Sequence, residues 1–249
     1  MKKAIKSAEL LIALQEFTAA RIAIGRAGTS IPLKESLEFK LAHAHARDAV
    51  YSELDIIGLT DSLKQFNLPV LHLQSMAGYR EQYLKRPDLG RKLNEASLTR
   101  LADHHVPTDI SIIIADGLSA TAVNANAAGL LETLMPMLQA VNFKLADIVL
   151  VEQGRVAIAD EITSALKAKL SLILIGERPG LSSADSIGAY LTYNPKPGLT
   201  DESRNCVSNI RPGGLNYKQA SKKIFYLIQE SFKRKLSGFL LKDNAGLLK

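Results

Sequence analysis

The chain has 249 residues, 47% of them hydrophobic and 22% charged, with a formal net charge of +6; this is ordinary globular composition and bounds the fold to one large domain or a medium one with a helical annex. No apolar run reaches the roughly 18 residues that cross a bilayer, and the first apolar stretch is broken by Gln15 and Glu16 with no small-residue cleavage site behind it, which argues against a secretion signal. One cysteine excludes an internal disulfide framework and fits a reducing compartment, while the basic balance, with 6% aromatics, no tryptophan and no nucleic-acid signature, is a bias rather than a function.

In chain order, residues 8–24 place Leu10, Leu14, Phe17 and Arg21 at helical spacing, and Gly25 to Gly28 supply the glycines a helix end favours. A second helix is expected from Leu33 to about Leu54, after Pro32. On it His43 and His45 point roughly 200° apart, so they do not bind one metal from a shared face; His43 and Arg47 do share one. Residues 69–73 read as a short strand. Tyr83 to Leu93 reads as a turn entering a helix that runs to about Asp103, with Lys85, Arg86 and Arg91 exposed beside apolar Tyr83 and Leu84, a mixture suited to a partner-facing surface. His104 and His105 are adjacent and lack ligand spacing.

From Asp109 the pattern changes. Ile110 to Ala115 is a buried-strand run, and Ser119 is placed to cap a helix over Ala120–Ala140. Asp147 to Val151 is a strand, about Ala159 to Lys169 a helix, Leu170 to Ile175 a third strand and Ile187 to Tyr193 a fourth. Strand–helix alternation with near-continuous apolar runs predicts a parallel sheet with helices on both faces. Asn216 to Lys235 is a long basic amphipathic helix with Ile224, Leu227, Ile228 and Phe232 on one stripe. The composition break near residue 100 divides a helical N-terminal region, 1–100, from an α/β domain, 101–249.

The stretch from Leu170 to Gly214 carries the chemistry. Glu177 leaves a buried strand beside Arg178, Pro179 and Gly180, and the segment closes on Arg204 to Gly214 with Cys206 and Asn209. A carboxylate, guanidinia, a thiol and an amide near rigid turns resemble a ligand edge, and in open α/β sheets ligands sit outside the carboxyl ends of strands. Asp116 and Arg155 belong to the same decorated edge. Common catalytic signatures are missing. There is no G-x-G-x-x-G and no G-x-x-x-x-G-K-[ST]. Gly180 to Ala184 departs from a nucleophile elbow at Ala184. The metal spacings C-x-x-C and H-E-x-x-H do not occur, and residues 103–108 fail the D-x-H-x-x-G cobalamin motif at its last position.

Read together, seven co-linear segments resemble the small (light) subunit of adenosylcobalamin-dependent ethanolamine ammonia-lyase. They are RIAIGRAG (21–28), HAHARDAV (43–50), YLKRPDLGRKL (83–93), DGLSATAV (116–123), GRVAIADEI (154–162), GERPGLSSADS (176–186) and RNCVSNIRPGG (204–214). The resemblance implies a Rossmann-like, mostly parallel sheet flanked by helices behind an N-terminal helical region. It implies adenosylcobalamin as cofactor, contacted by Val156, Glu177 and Cys206, with neither catalytic residue nor metal ligand on this chain. It implies as partner a large catalytic (β/α)₈-barrel subunit in a hetero-oligomer, where ethanolamine becomes acetaldehyde and ammonia by radical chemistry, and no nucleic-acid or membrane partner. Relative to longer members the chain lacks an N-terminal extension of the kind that can target a bacterial microcompartment, so the expected setting is the cytoplasm, with a microcompartment as the alternative. A reading from another class is a stand-alone Rossmann-like enzyme acting on a nucleotide or phosphorylated metabolite.

Overall fold

The structure, a computed structural model, describes residues 13–18, 20–102 and 106–243. One six-stranded sheet organises it. The strands are β1 (Val70–Gln74), β2 (Thr108–Ala115), β3 (Ile148–Glu152), β4 (Ala168–Gly176), β5 (Ile187–Tyr193) and β6 (Asn205–Ile210), in the order β1-β3-β2-β4-β5-β6. The first four are mutually parallel; β5 runs antiparallel to β4, and β6 antiparallel to β5.

The expected α/β sheet flanked by helices is present, mixed rather than wholly parallel. The reason lies in the connections. A parallel crossover needs about a dozen residues or more, usually a helix, and residues 177–186 and 194–204 are shorter and contain no α-helix. The chain therefore turns back twice.

Central strands bury both faces. Ile110, Ile112 and Ile114 of β2 and Leu170, Leu172 and Leu174 of β4 enter one core with α5 (Ala120–Ala140) and α7 (Tyr217–Arg234). Ile113, Ala115, Ile173 and Ile175 enter the other with α6 (Ile158–Ala165) and Leu101 of α4 (Glu95–Leu101). Each such Leu or Ile contributes roughly 1.5–3 kcal/mol through burial. Ser119 caps α5 as expected, accepting from the Ala122 N–H at 3.1 Å. Gly117 has φ +57°, and a Cβ there would collide with the backbone of Gly176; only glycine lets the turn after β2 press onto the end of β4.

Several boundaries differ from the sequence reading. The expected helix 8–24 is, within the described residues, one 3₁₀ turn (Leu14–Phe17) followed by extended Thr18; Phe17 is 83% exposed, so no burial supports a longer helix. Residues 8–12 lie outside the described residues. α1 (Leu33–Tyr51) stops short of Leu54 at extended Ser52, and α2 (Ile56–Leu63), capped by Asp55, was not anticipated. The turn expected over Tyr83–Leu93 is partly helical, with α3 (Arg80–Lys85) and a 3₁₀ turn (Leu89–Arg91) on either side of Pro87, and the helix expected into Asp103 is α4, which starts only at Glu95 behind its Asn94 cap. Asp103, His104 and His105 lie outside the described residues. α6 ends at Ala165, since Lys167 adopts φ 51° and β4 begins at Ala168. β6 also went unread: as an edge strand it alternates Val207 inward with exposed Cys206 and Ser208, too short and polar to stand out.

Candidate functional site

The carboxyl ends of β2, β3 and β4 meet above the sheet, and one carboxylate ties two of them together. Asp116 accepts from the N–H groups of Gly117 (2.9 Å), Gly154 (3.0 Å) and Gln153 (2.8 Å). Burial outweighs those donors and nearby Arg80 and pushes its pKa up to about 6. Sequence placed Asp116 on the decorated edge; in the structure it is turned inward, 2% exposed, and serves as a clamp.

Beside this clamp opens a cavity of about 290 Å³ whose walls include Val156, Glu177, Arg155, Arg178, Tyr83 and Tyr190. Val156 lies just before α6 and presents an apolar surface. Glu177 is fixed by one oxygen: its Oε2 accepts from Ser186 Oγ at 2.7 Å and from the Asn209 N–H at 3.1 Å. Its Oε1 makes no hydrogen bond among the described residues. Asn209 holds Glu177 through its backbone N–H from the left-handed region, φ 57°, while its side-chain oxygen accepts from Arg211 Nε at 3.1 Å.

Cys206 does not line this cavity but stands next to it. It pairs with Tyr190 across β5 and β6. The residue is exposed, yet desolvation beside the ring, with the Glu177 charge, pushes the thiol above its ordinary range. Desolvation and the neighbouring thiol push the Tyr190 phenol up as well. The structure thus brings Val156 and Glu177 to one cavity and joins Cys206 to it through Tyr190.

Tyr190 and Tyr83 escaped the sequence reading. Tyr190 had a signal: it is the polar-tipped member of an alternation, between Ala189 and Leu191, that points to the less covered face. Tyr83 was expected beside exposed cations on a partner-facing surface. It is instead 1% exposed, its ring beneath Arg155 at 4.3 Å and near Arg80 at 4.7 Å, and burial pushes its pKa up to about 12. Lys85, Arg86 and Arg91 are exposed as anticipated. His43 packs edge-on against Phe39 at 4.7 Å. Among the described residues no cluster of three His, Cys, Asp or Glu side chains is arranged to hold a metal, and no helix is long and apolar enough to cross a membrane.

Fold and cavity define a class: an α/β protein with a fixed acceptor, cationic groups and an apolar wall gathered where strands end, in a space too small to enclose a large ligand. The chain belongs to the ethanolamine ammonia-lyase light chain (EutC) family, whose pattern matches residues 8–242. Over 236 residues it is 52% identical to the ethanolamine ammonia-lyase small subunit of Azotobacter vinelandii, covering 93% of this chain and 87% of that one. It is 51% identical over 236 residues to the small subunit of Pseudomonas aeruginosa, covering 93% and 86%, and 50% identical over 237 residues to that of Ralstonia nicotianae, covering 94% and 88%.

Proposed function

We propose that this chain is the small subunit of an adenosylcobalamin-dependent ethanolamine ammonia-lyase, a cytoplasmic assembly, free or within a bacterial microcompartment, and that it forms one wall of the coenzyme site against a large barrel subunit. The observation that carries this reading is the meeting of Val156, Glu177 and the Tyr190–Cys206 pair at the carboxyl end of the sheet.

The residues present fit such a group. Its corrin rim carries carboxamides, which offer N–H donors and carbonyl acceptors. Glu177 has one anchored and one free oxygen, so it accepts a hydrogen bond from an amide or ribose without moving. Val156 and the Tyr190 ring supply apolar contact. Cys206 adds a polarizable surface beside the ring. The cavity of about 290 Å³ suits one side arm of the group, with the rest of the ligand lying against the large subunit. The coenzyme supplies a radical when bound; the task of this chain's residues is to orient it and exclude water around it.

The test is co-expression with the large subunit, followed by assay of coenzyme-dependent ammonia and acetaldehyde release from ethanolamine. The pair should turn over and this chain alone should be silent. Turnover by the isolated chain would overturn the reading in favour of a stand-alone enzyme.

A further inference from the structure

Arg155 is held with unusual care yet most of its guanidinium is unpaired. Its backbone N–H donates to Gly90 O at 2.7 Å and its Nη2 to Tyr83 O at 3.0 Å. The guanidinium carbon lies 4.3 Å above the Tyr83 ring centroid, and the Tyr83 hydroxyl is itself 3.3 Å from Gly154 O. Gly90 makes the nook possible, because a Cβ there would fall 2.7 Å from Arg155 Cγ and 3.1 Å from a Tyr83 ring carbon.

Nε of Arg155 is buried without a hydrogen-bond partner, and Nη1 donates to nothing among the described residues. An N–H removed from water and left without an acceptor is costly, and a ring face compensates for charge but is no oxygen acceptor. Arg204 also has a buried Nε without a hydrogen bond, but it serves the fold with its charge met: Asp160 takes two of its nitrogens at 2.7 Å each and Asp201 lies 3.5 Å from that Nε, whereas no carboxylate pairs with Arg155 among the described residues. No ion pair joins Arg155 to Glu177 among the described residues, although both line one cavity. A fixed donor and a fixed acceptor are thus kept apart.

We propose that Arg155 is a further ligand-binding residue of this site, donating to an acceptor oxygen of the bound coenzyme, and that Tyr83 and Gly90 form the platform that aims it. This rests on the coenzyme-site reading above. Two oxygens share the chemistry: a carboxamide carbonyl on the corrin rim and the phosphate of the nucleotide tail.

The experiment uses the complex of this chain with the large subunit, titrated in parallel with cyanocobalamin and with dicyanocobinamide, which keeps the rim amides and lacks the tail; binding is read by visible absorbance. Arg155→Ala should weaken cyanocobalamin tenfold to more than a hundredfold, the effect of losing one charged hydrogen bond. Equal weakening of both ligands assigns the carbonyl; weakening of cyanocobalamin alone assigns the phosphate. If the alanine variant fails to assemble, Arg155→Gln, which retains N–H donors and loses the charge, is titrated instead and should show the same pattern in smaller measure. A variant that co-purifies normally and binds both ligands as the natural chain does overturns the proposal. A natural complex that binds neither ligand overturns the coenzyme-site reading instead.

Discussion

Arg204 and Asp160 form a bidentate ion pair sealed inside the protein: Nη1 to Oδ1 and Nη2 to Oδ2 are both 2.7 Å, and the side chains are 2% and 1% exposed. The pair ties the first turn of α6 to the start of β6, and Thr192 of β5 accepts from the same guanidinium at 3.1 Å. Removing one partner strands the other charge away from water. Asp160→Ala should therefore cost about 3–5 kcal/mol of unfolding free energy in urea, whereas the double change Asp160→Leu with Arg204→Met should recover much of it. A single variant within 1 kcal/mol of the natural chain would show that the pair is not what joins these elements.

Glu177→Gln tests the acceptor. The side-chain amide can keep its oxygen toward Ser186 and the Asn209 N–H, which leaves an NH₂ where the free carboxylate oxygen stood. An acceptor becomes a donor. In the complex with the large subunit, the dissociation constant for adenosylcobalamin should rise by about ten- to more than a hundredfold, with turnover at saturating coenzyme falling much less. Normal binding with collapsed saturated turnover would put Glu177 in the chemistry and defeat the assignment.

The single cysteine gives a clean probe. Since desolvation and the Glu177 charge raise the Cys206 thiol, little thiolate is present at neutral pH, and the thiolate is the reactive form. Alkylation by iodoacetamide should be slower than that of a free thiol, with its inflection above the ordinary range. Glu177→Gln should lower that inflection by removing the negative charge. A pH profile identical in the two proteins would mean that the charge is not felt at the sulfur.

Asp116 gives a pH dependence of defined sign. Its carboxyl pKa is raised from 3.8 to about 6 in the fold, so between those values the native state binds more protons than the unfolded chain. Stability from this group is largest at low pH, falls as pH rises through that window and is level above it. Asp116→Asn removes the titration. The unfolding free energy of the natural chain minus that of the variant, measured in urea from pH 4 to 7, should decline up to about pH 6 and then flatten. A difference that grows with pH would mean that the N–H donors outweigh burial.

The sheet was legible because Ile110–Ala115 and Leu170–Ile175 are apolar at five of six positions, broken only by small Ser111 and Ser171, as a strand buried on both faces requires. The cap at Ser119 was legible because a side-chain oxygen at a helix start acts locally. The reversal of β5 and β6 was not, since it depends on how far 177–186 and 194–204 can reach. Glu177 stands out beside a strand end, whereas Val156 was singled out only by the family resemblance. Tyr83 does not: what buries it is Arg155, some seventy positions away along the chain, and no local pattern announces a stack formed by tertiary contact.

The pairing of β1 with β3 closes the widest loop in the sheet, Val70 to Ile148, while β4, β5 and β6 join neighbours close in sequence. Widely separated contacts form late because chain closure must precede them. Tyr83 arrives on α3, directly after β1, so the seat of Arg155 is finished only when that distant strand has docked. Glu177, Tyr190 and Cys206 come together from the short-range meander well before then. In a full-length chain refolding from denaturant, the acceptor half of the site should thus gather before its cationic half.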